Sequence, residues 1–189
     1  MSAQDSKLFV ISGPSGAGKG TLVTRVRERR SNLCLTVSAT TRAPRKGEVD
    51  GVNYFFLTRE EFDRRVANGE FVEWAEVHGN CYGTLVSEVQ SKLASGASLI
   101  LEIDVQGALQ VKERFPEAVL IFIKPPSLEV LRERLVGRGT ETPETIELRM
   151  ANAADELALA DRYDDVVVND DLDRATDELV RVLDMHERI

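Results

Sequence analysis

The sequence predicts an α/β fold of three layers, with a parallel sheet between two layers of helices. Three observations carry this. Short apolar runs, Leu8 to Ile11, Leu99 to Ile103, Ala118 to Ile123 and Val166 to Val168, recur with helix-period stretches between them, and alternating strands and helices build a parallel sheet. The first run breaks into a glycine-rich turn, Gly13 to Gly18, that leads directly into a helical stretch at Lys19. Gly13, Asp104 and Asn169 fall at the carboxyl ends of three such runs, where ligands sit in sheets of this kind.

The elements follow in order. Lys7 to Ser12 reads as a buried strand, and Lys19 to about Arg30 as a helix with Leu22, Val23 and Val26 inward. Cys34 to Val37 is strand-like, whereas Ser38 to Val52 is polar and turn-rich. Tyr54 to Leu57 is strand-like again. Thr58 and Glu61 have the spacing of a capping box for a short helix that Gly69 ends. Phe71 to Val77 alternates, with Phe71, Glu73, Ala75 and Val77 on one face. A helix from Val86 to Ala94 ends at Gly96. Residues 38–96 are too long for an ordinary connection and read as an inserted lobe. The core resumes with a strand from Ser98 to Asp104, a helix from Val105 to Arg114, and a strand from Ala118 to Ile123 that Pro125-Pro126 closes. Leu128 to Leu135 is helical until Gly137-Arg138-Gly139 breaks it. Thr142 and Pro143 start a long helix as N-cap and first position. Val166 to Val168 is the last strand, and a terminal helix follows Asp170-Asp171.

The chain has 189 residues, 42% hydrophobic and 30% charged, with a net charge of −8. That is one domain, or one core with insertions, and it argues against a nucleic-acid or anionic-membrane binder. Any anion site must be built locally against the overall field. Cys34 and Cys81 are far apart, with no signal peptide in view, which reads as reduced thiols in a cytoplasmic protein. No apolar stretch approaches the ~20 residues that cross a bilayer. His78 and His186 have no partner pattern for catalysis or metal, Met150 and Cys34 read as core, and Cys81 reads as part of a polar turn.

Gly13, Gly18 and Lys19 fit G-x-x-x-x-G-K. Glycines let the loop curl its backbone N–H groups inward, and that nest, backed by a helix N-terminus, holds phosphate oxygens. Pro14, Ser15, Gly16 and Ala17 complete the loop, and Lys19 supplies a mobile cation. The pattern wants Ser or Thr after the lysine, but here Gly20 precedes Thr21. The hydroxyl that meets Mg²⁺ is then either Thr21, one residue late, or water.

With those residues in view, the chain resembles the guanylate kinases. The matching text is Gly13-Pro-Ser-Gly-Ala-Gly-Lys19, Val37-Ser-Ala-Thr-Thr-Arg42-Ala-Pro-Arg45-Lys-Gly-Glu48, Gly51-Val-Asn-Tyr54-Phe, Phe71-Val-Glu73-Trp-Ala and Tyr82-Gly83-Thr84. It continues through Glu102-Ile-Asp104-Val-Gln106-Gly107, Pro125-Pro126-Ser127, Gly137-Arg-Gly-Thr-Glu-Thr142 and Val168-Asn-Asp-Asp171. The resemblance implies a P-loop NTPase core at about 1–37, 97–125 and 151–189, a GMP-binding lobe at about 38–96 and a helical lid at about 126–150. It implies Mg²⁺-dependent transfer from ATP to GMP.

By the same resemblance, residues 13–21 hold ATP together with Arg134, Arg138 and Asn169, while Lys19, Arg42, Arg138 and Arg149 stabilise the transferring group. Arg42 and Arg45 hold the GMP phosphate bidentately, with Tyr54 and Tyr82 donating hydroxyls. A carboxylate among apolar neighbours needs a partner. Guanine offers N1–H and its 2-amino group side by side, so Glu73 reads as the guanine selector, with Ser38 and Thr84 donating to O6. The plainer reading of Glu73 is an internal salt bridge. Glu102 and Asp104 lie two apart on a strand and point the same way; the resemblance puts Asp104 at the GMP side and Glu102 near Mg²⁺, and the plainer reading is that one caps the helix at Val105. Asn169 reads equally as a turn former and Arg149 as a surface charge. A fold-alike protein-binding module would show a damaged loop or missing lid arginines, and this chain has neither. The Gly-Lys-Gly-Thr text also resembles the adenylate kinase loop, but Glu73 and Ser38 argue against that substrate. The sequence leaves the oligomeric state open.

Overall fold

The computed structural model describes residues 6–77, 79–137, 139 and 142–188. Its elements begin with β1 (Leu8–Ser12), α1 (Lys19–Arg29), β2 (Leu33–Leu35), β3 (Ala39–Thr40), β4 (Phe55–Phe56) and α2 (Arg59–Ala67). They continue with β5 (Phe71–Val77), β6 (Asn80–Leu85), α3 (Val86–Ala94), β7 (Ser98–Glu102), α4 (Val105–Arg114) and β8 (Val119–Lys124). The chain closes with α5 (Leu128–Gly137), α6 (Pro143–Leu157), a 3₁₀ turn (Ala160–Arg162), β9 (Asp165–Val168) and α7 (Leu172–Glu187).

Five strands form one wholly parallel sheet in the order β2-β7-β1-β8-β9. Alternating side chains divide its apolar residues between two faces. Phe9, Ile11, Ile100, Ile121 and Ile123 pack with Leu22 and Val26 of α1 and Leu179 and Leu183 of α7. Leu8, Val10, Leu99, Leu101, Leu120 and Phe122 pack with Val89 of α3 and Val105, Ala108 and Val111 of α4. That is the three-layer arrangement expected from the sequence. Helices α1 and α7 are also joined by ion pairs, Arg25 to Asp173, Arg29 to Asp177, and Arg30 to both Asp184 (2.7 Å) and Glu187. The exposed pairs add little. Glu187 is nearly enclosed, and Arg30 compensates its buried charge.

Residues 39–85 carry a second, mixed sheet in the order β4-β3-β6-β5. Its small core is Ala39, Phe62, Phe71, Cys81 and Leu85. The Phe62 ring stacks on Phe71 at 4.3 Å and meets Trp74 edge-on at 6.3 Å. Thr58 caps α2 by accepting from the Glu61 amide at 3.1 Å. The other half of the capping box is replaced, because the Glu61 carboxylate turns to Arg64 and Arg65.

One strand was not anticipated, and two readings need correction here. β6 forms in a stretch with no alternating pattern, because pairing with β5 outweighs the poor strand propensity of Asn80 and Gly83. Cys81 therefore lies in a strand and is fully enclosed, not in a polar turn. β5 does not alternate strictly. A bulge between Phe71 and Glu73 shifts its register, so Phe71 and Trp74 both reach Phe62, and Glu73 is turned to the opposite side.

Helices α5 and α6 share a third small core of Leu131, Leu135, Ile146 and Ala153, with Met150 against it. Thr142 and Pro143 start α6 as the sequence implies, with Thr142 accepting from the Thr145 amide at 3.3 Å. Among the described residues no helix is long and apolar enough to cross a membrane.

The two thiols differ in burial. Cys34 is half-buried, while Cys81 is enclosed and desolvation raises its pKa. In a timed reaction of the native protein with an aromatic disulfide reagent, Cys34 is expected to react first. Cys81 should follow only as fast as the second sheet opens; equal rates would contradict this packing.

Candidate active site

The parallel strands of the central sheet deliver their carboxyl ends to one edge. There the chain leaves β1 through residues 13–18 and enters α1 at Lys19. Unpaired first-turn amides and the helix dipole make such an end attractive to anions, and α1 has no acidic residue in its first turn to oppose this. Gly13 has φ 138°, and a Cβ there would overlap the Ile123 carbonyl. Gly18 has φ 91°, and a Cβ there would strike the Asn169 amide. These two positions require glycine.

Groups around the loop already hold one another. The Lys19 ammonium donates to the Gly13 carbonyl at 2.6 Å and the Pro14 carbonyl at 3.1 Å. Asn169, enclosed just past β9, donates its side-chain amide to the Ala17 carbonyl at 2.8 Å. Arg134 of α5 donates to the Asn169 carbonyl at 2.8 Å. Arg149 of α6 donates to the Ser15 hydroxyl, and the Leu131 and Leu135 side chains close over Gly16. The helical hairpin is therefore seated on the loop through apolar and polar contacts at once.

Two recesses open beside the loop. One is lined by Ser15, Gly16, Gly18, Lys19, Gly20, Thr21 and Glu102, and the other by Gly16, Gly18, Thr21, Arg134, Asn169, Asp170 and Leu172. Glu102 is the last residue of β7, in register with Ile11 of β1. Desolvation raises its pKa, and the nearby Lys19 charge opposes the rise. Its carboxylate oxygens lie over Gly20, the residue that departs from the usual loop pattern.

A third recess, lined by Ser38, Thr84 and residues 100–103, also has Glu102 on its wall. Glu73 is reached from this recess through Thr84: it is buried, 8% exposed, and accepts from the Thr84 hydroxyl at 2.8 Å. Its second oxygen lies beside Gly107 in the first turn of α4. Burial raises the Glu73 pKa, the Asp104 charge adds to the rise, and the Thr84 hydrogen bond opposes it. Arg42 lies across the Tyr54 ring, 5.4 Å from its centroid, with Tyr82 edge-on to Tyr54 at 6.3 Å. The Arg42 guanidinium is paired with Glu48 at 2.9 Å, while Arg45 stands exposed two residues beyond Ala43.

Several sequence readings change. Glu73 has no salt-bridge partner among the described residues, and the apolar face assigned to it belongs to Phe71 and Trp74. Thr84 gives its hydroxyl proton to Glu73, not to an open cavity. Asp104 lies past the end of β7 and caps α4, accepting from the Gly107 amide at 2.7 Å, so it does not project in parallel with Glu102. Asn169 is engaged in holding the loop. His186 does have a partner, Asp165, at 2.6 Å. Arg138 and His78 lie outside the described residues.

Sequence reasoning gave no role to Glu48 or to Glu156. Glu156, near the end of α6, has its pKa raised by burial; the Lys19 charge opposes the rise and the Asp104 charge adds to it. Glu48 was legible as a carboxylate three residues past Arg45 in a turn-rich loop; nothing in the sequence marks Glu156.

A model of the guanylate kinase family matches residues 5–186. The guanylate kinase of Gloeobacter violaceus is 57% identical over 178 residues, 94% of this chain and 87% of that protein. That of Halalkalibacterium halodurans is 52% identical over 183 residues, 97% of this chain and 90% of that protein. Among solved structures, the crystal structure of guanylate kinase from Anaplasma phagocytophilum superposes with a TM-score of 0.73 at 36% identity, covering 97% of this chain and 87% of that one. A match that runs nearly end to end, with relatives above half identity, means that this chain belongs to the guanylate kinase family.

Proposed function

We propose that the chain transfers the γ-phosphoryl group of ATP to GMP, and to dGMP through the same contacts, giving ADP and GDP. One observation carries the reading. Glu102 stands on the wall of both the loop recess and the Ser38–Thr84 recess, so ligands filling the two would meet at their phosphate ends. In this reading residues 38–96 form the GMP lobe, 126–150 the lid, and the remainder the core. Two separate free thiols accord with a cytoplasmic setting.

On the donor side, residues 13–21 and the start of α1 receive the triphosphate, with Lys19 exchanging its two loop carbonyls for phosphate oxygens. Arg134 and Asn169 border the recess that suits the nucleoside. Arg149, and by the resemblance Arg138, bring positive charge onto the transferring group. On the acceptor side, Arg42, Arg45, Tyr54 and Tyr82 hold the GMP phosphate. Glu73 accepts the N1–H and 2-amino pair of guanine. Ser38 and Thr84 stand near O6, and Asp104 supports the site from the head of α4. No side chain has to remove a proton, because a phosphate monoester with a second pKa of about 6 is already largely ionised at pH 7. Catalysis is then alignment, charge neutralisation and exclusion of water under the lid.

The oxygen donors fit Mg²⁺. The Glu102 carboxylate and the Thr21 hydroxyl border one recess, and hard cations of this kind prefer one or two protein oxygens beside phosphates and water. Bound there, the ion would neutralise charge on the phosphate chain.

In a coupled assay with ATP and Mg²⁺, GMP is expected to support turnover and AMP to support almost none. Equal rates would contradict the assignment. Glu73→Gln should lower kcat/KM for GMP by at least about 100-fold, since a site built to hydrogen-bond its substrate loses that much when the pairing fails.

The same substitution has a stability signature. Burial raises the Glu73 pKa above its ordinary 4.5, so the folded state disfavours the ionised carboxylate. That penalty is present at pH values above the folded-state pKa and vanishes once pH falls below 4.5. Glu73→Gln should therefore melt above the parent at pH 7, with the difference closing in acid; a parent that is more stable at pH 7 would contradict it. Lys19→Met is expected to lower kcat by about 1,000-fold while leaving the KM for GMP nearly unchanged. A comparable rise in that KM would place the lysine on the acceptor side instead.

A further inference from the structure

Glu48 has no part in the phosphoryl transfer described above, yet its carboxylate accepts three hydrogen bonds within its own loop. Its Oε1 accepts from Arg42 Nη2 at 2.9 Å. Its Oε2 accepts from Arg42 Nη1 at 3.0 Å and from the Arg45 backbone amide at 2.7 Å. The Ala43 carbonyl takes a second bond from Arg42 Nη1, at 2.8 Å. One carboxylate thus joins the side chain of one phosphate-site arginine to the backbone of the other. Those contacts hold the Glu48 pKa below the ordinary carboxylate value, Arg42 first and the Arg45 amide next.

We propose that Glu48 is a positioning residue that fixes the Arg42 guanidinium so that one edge of its fork is presented to the GMP phosphate. The proposal rests on the reading that Arg42 receives that phosphate. A guanidinium carries five N–H donors in one plane. Glu48 and Ala43 use the Nη1–Nη2 end. The Nε–H and the second Nη2–H lie outside that end, a pair with the spacing that two phosphate oxygens accept, and the Tyr82 hydroxyl, itself placed at the GMP phosphate above, also interacts with the guanidinium. The plane is set as well, because the guanidinium carbon lies 5.4 Å from the Tyr54 ring centroid and 5.9 Å from that of Phe56. Otherwise mobile, a long arginine on an exposed loop would be ordered only by the ligand, at the expense of affinity. A carboxylate that merely occupied the phosphate's place would have to be free to leave. Glu48 is instead tied into the turn itself, through the Arg45 amide and through its own amide, which donates to the Arg45 carbonyl at 3.0 Å.

The test is Glu48→Gln, alone and combined with Arg42→Lys, with kinetics for both substrates, guanosine as a phosphate-free inhibitor, and melting curves. Expected for Glu48→Gln is a rise in GMP KM of about tenfold, with kcat, ATP KM, guanosine inhibition and melting temperature unchanged. Arg42→Lys should raise GMP KM by itself, and adding Glu48→Gln to it should change nothing more. A lower GMP KM in Glu48→Gln would mean the carboxylate competes with phosphate and would overturn the proposal. So would full additivity of the two substitutions, or a parallel loss of guanosine binding, kcat and melting temperature. If Arg42→Lys leaves GMP KM unaltered, the underlying reading of Arg42 fails, and the proposal with it.

Discussion

An acidic chain that must receive two polyanions faces one constraint before any other. Its cations have to be gathered at one edge of the sheet and kept there against a net charge of −8. The fold meets this in part by giving several of them an acceptor nearby. Lys19 rests on two carbonyls of its own loop, Arg134 on the Asn169 carbonyl, Arg149 on Ser15 and Arg42 on Glu48. Most of these acceptors are neutral, so a phosphate can outbid them at modest cost. Glu48, by contrast, is charged, and it also binds the backbone of its own loop.

Around that edge the scaffold is redundant. Asn169 joins the end of β9 to the loop, Arg134 joins α5 to Asn169, and Leu131 and Leu135 press on Gly16. The glycine-rich loop and the α5–α6 hairpin are thereby packed together, so that, in the proposed reading, a shift of the hairpin is felt at the phosphates. The acceptor half is organised differently. It hangs on a small sheet whose own core is five residues, and Glu73 stands where that sheet meets the head of α4. Keeping Glu73 ionised in that place is unfavourable, and in the proposed reading a guanine edge would offset that penalty on binding.

Much of this was legible in the sequence because it is written in local chemistry. The loop glycines, the Thr142–Pro143 start of α6 and the apolar strand runs each depend on neighbours a few residues away. The parallel core and its three layers follow from them. What could not be read depends on pairing across the chain. The β5 bulge turns Glu73 away from Phe71, and no single strand announces a bulge. β6 exists because β5 is beside it, so Cys81 looked polar from its neighbours and is buried in fact. Asp104 and Glu102 were expected to project together, but the strand ends at Glu102, two residues before Asp104, which becomes a cap. The Arg42–Glu48 and Arg134–Asn169 pairs join residues whose types suggest ligand contacts and whose geometry gives them to one another first.

The central claim is that two nucleotides meet phosphate to phosphate between the loop at Lys19 and the arginines at 42 and 45. Calorimetric titration with adenosine and guanosine joined 5′ to 5′ through a polyphosphate chain tests it directly. The account predicts one molecule bound per chain, far more tightly than ATP or GMP alone, and displaced by either. Binding no tighter than GMP, or simultaneous binding of ATP beside it, would contradict the account.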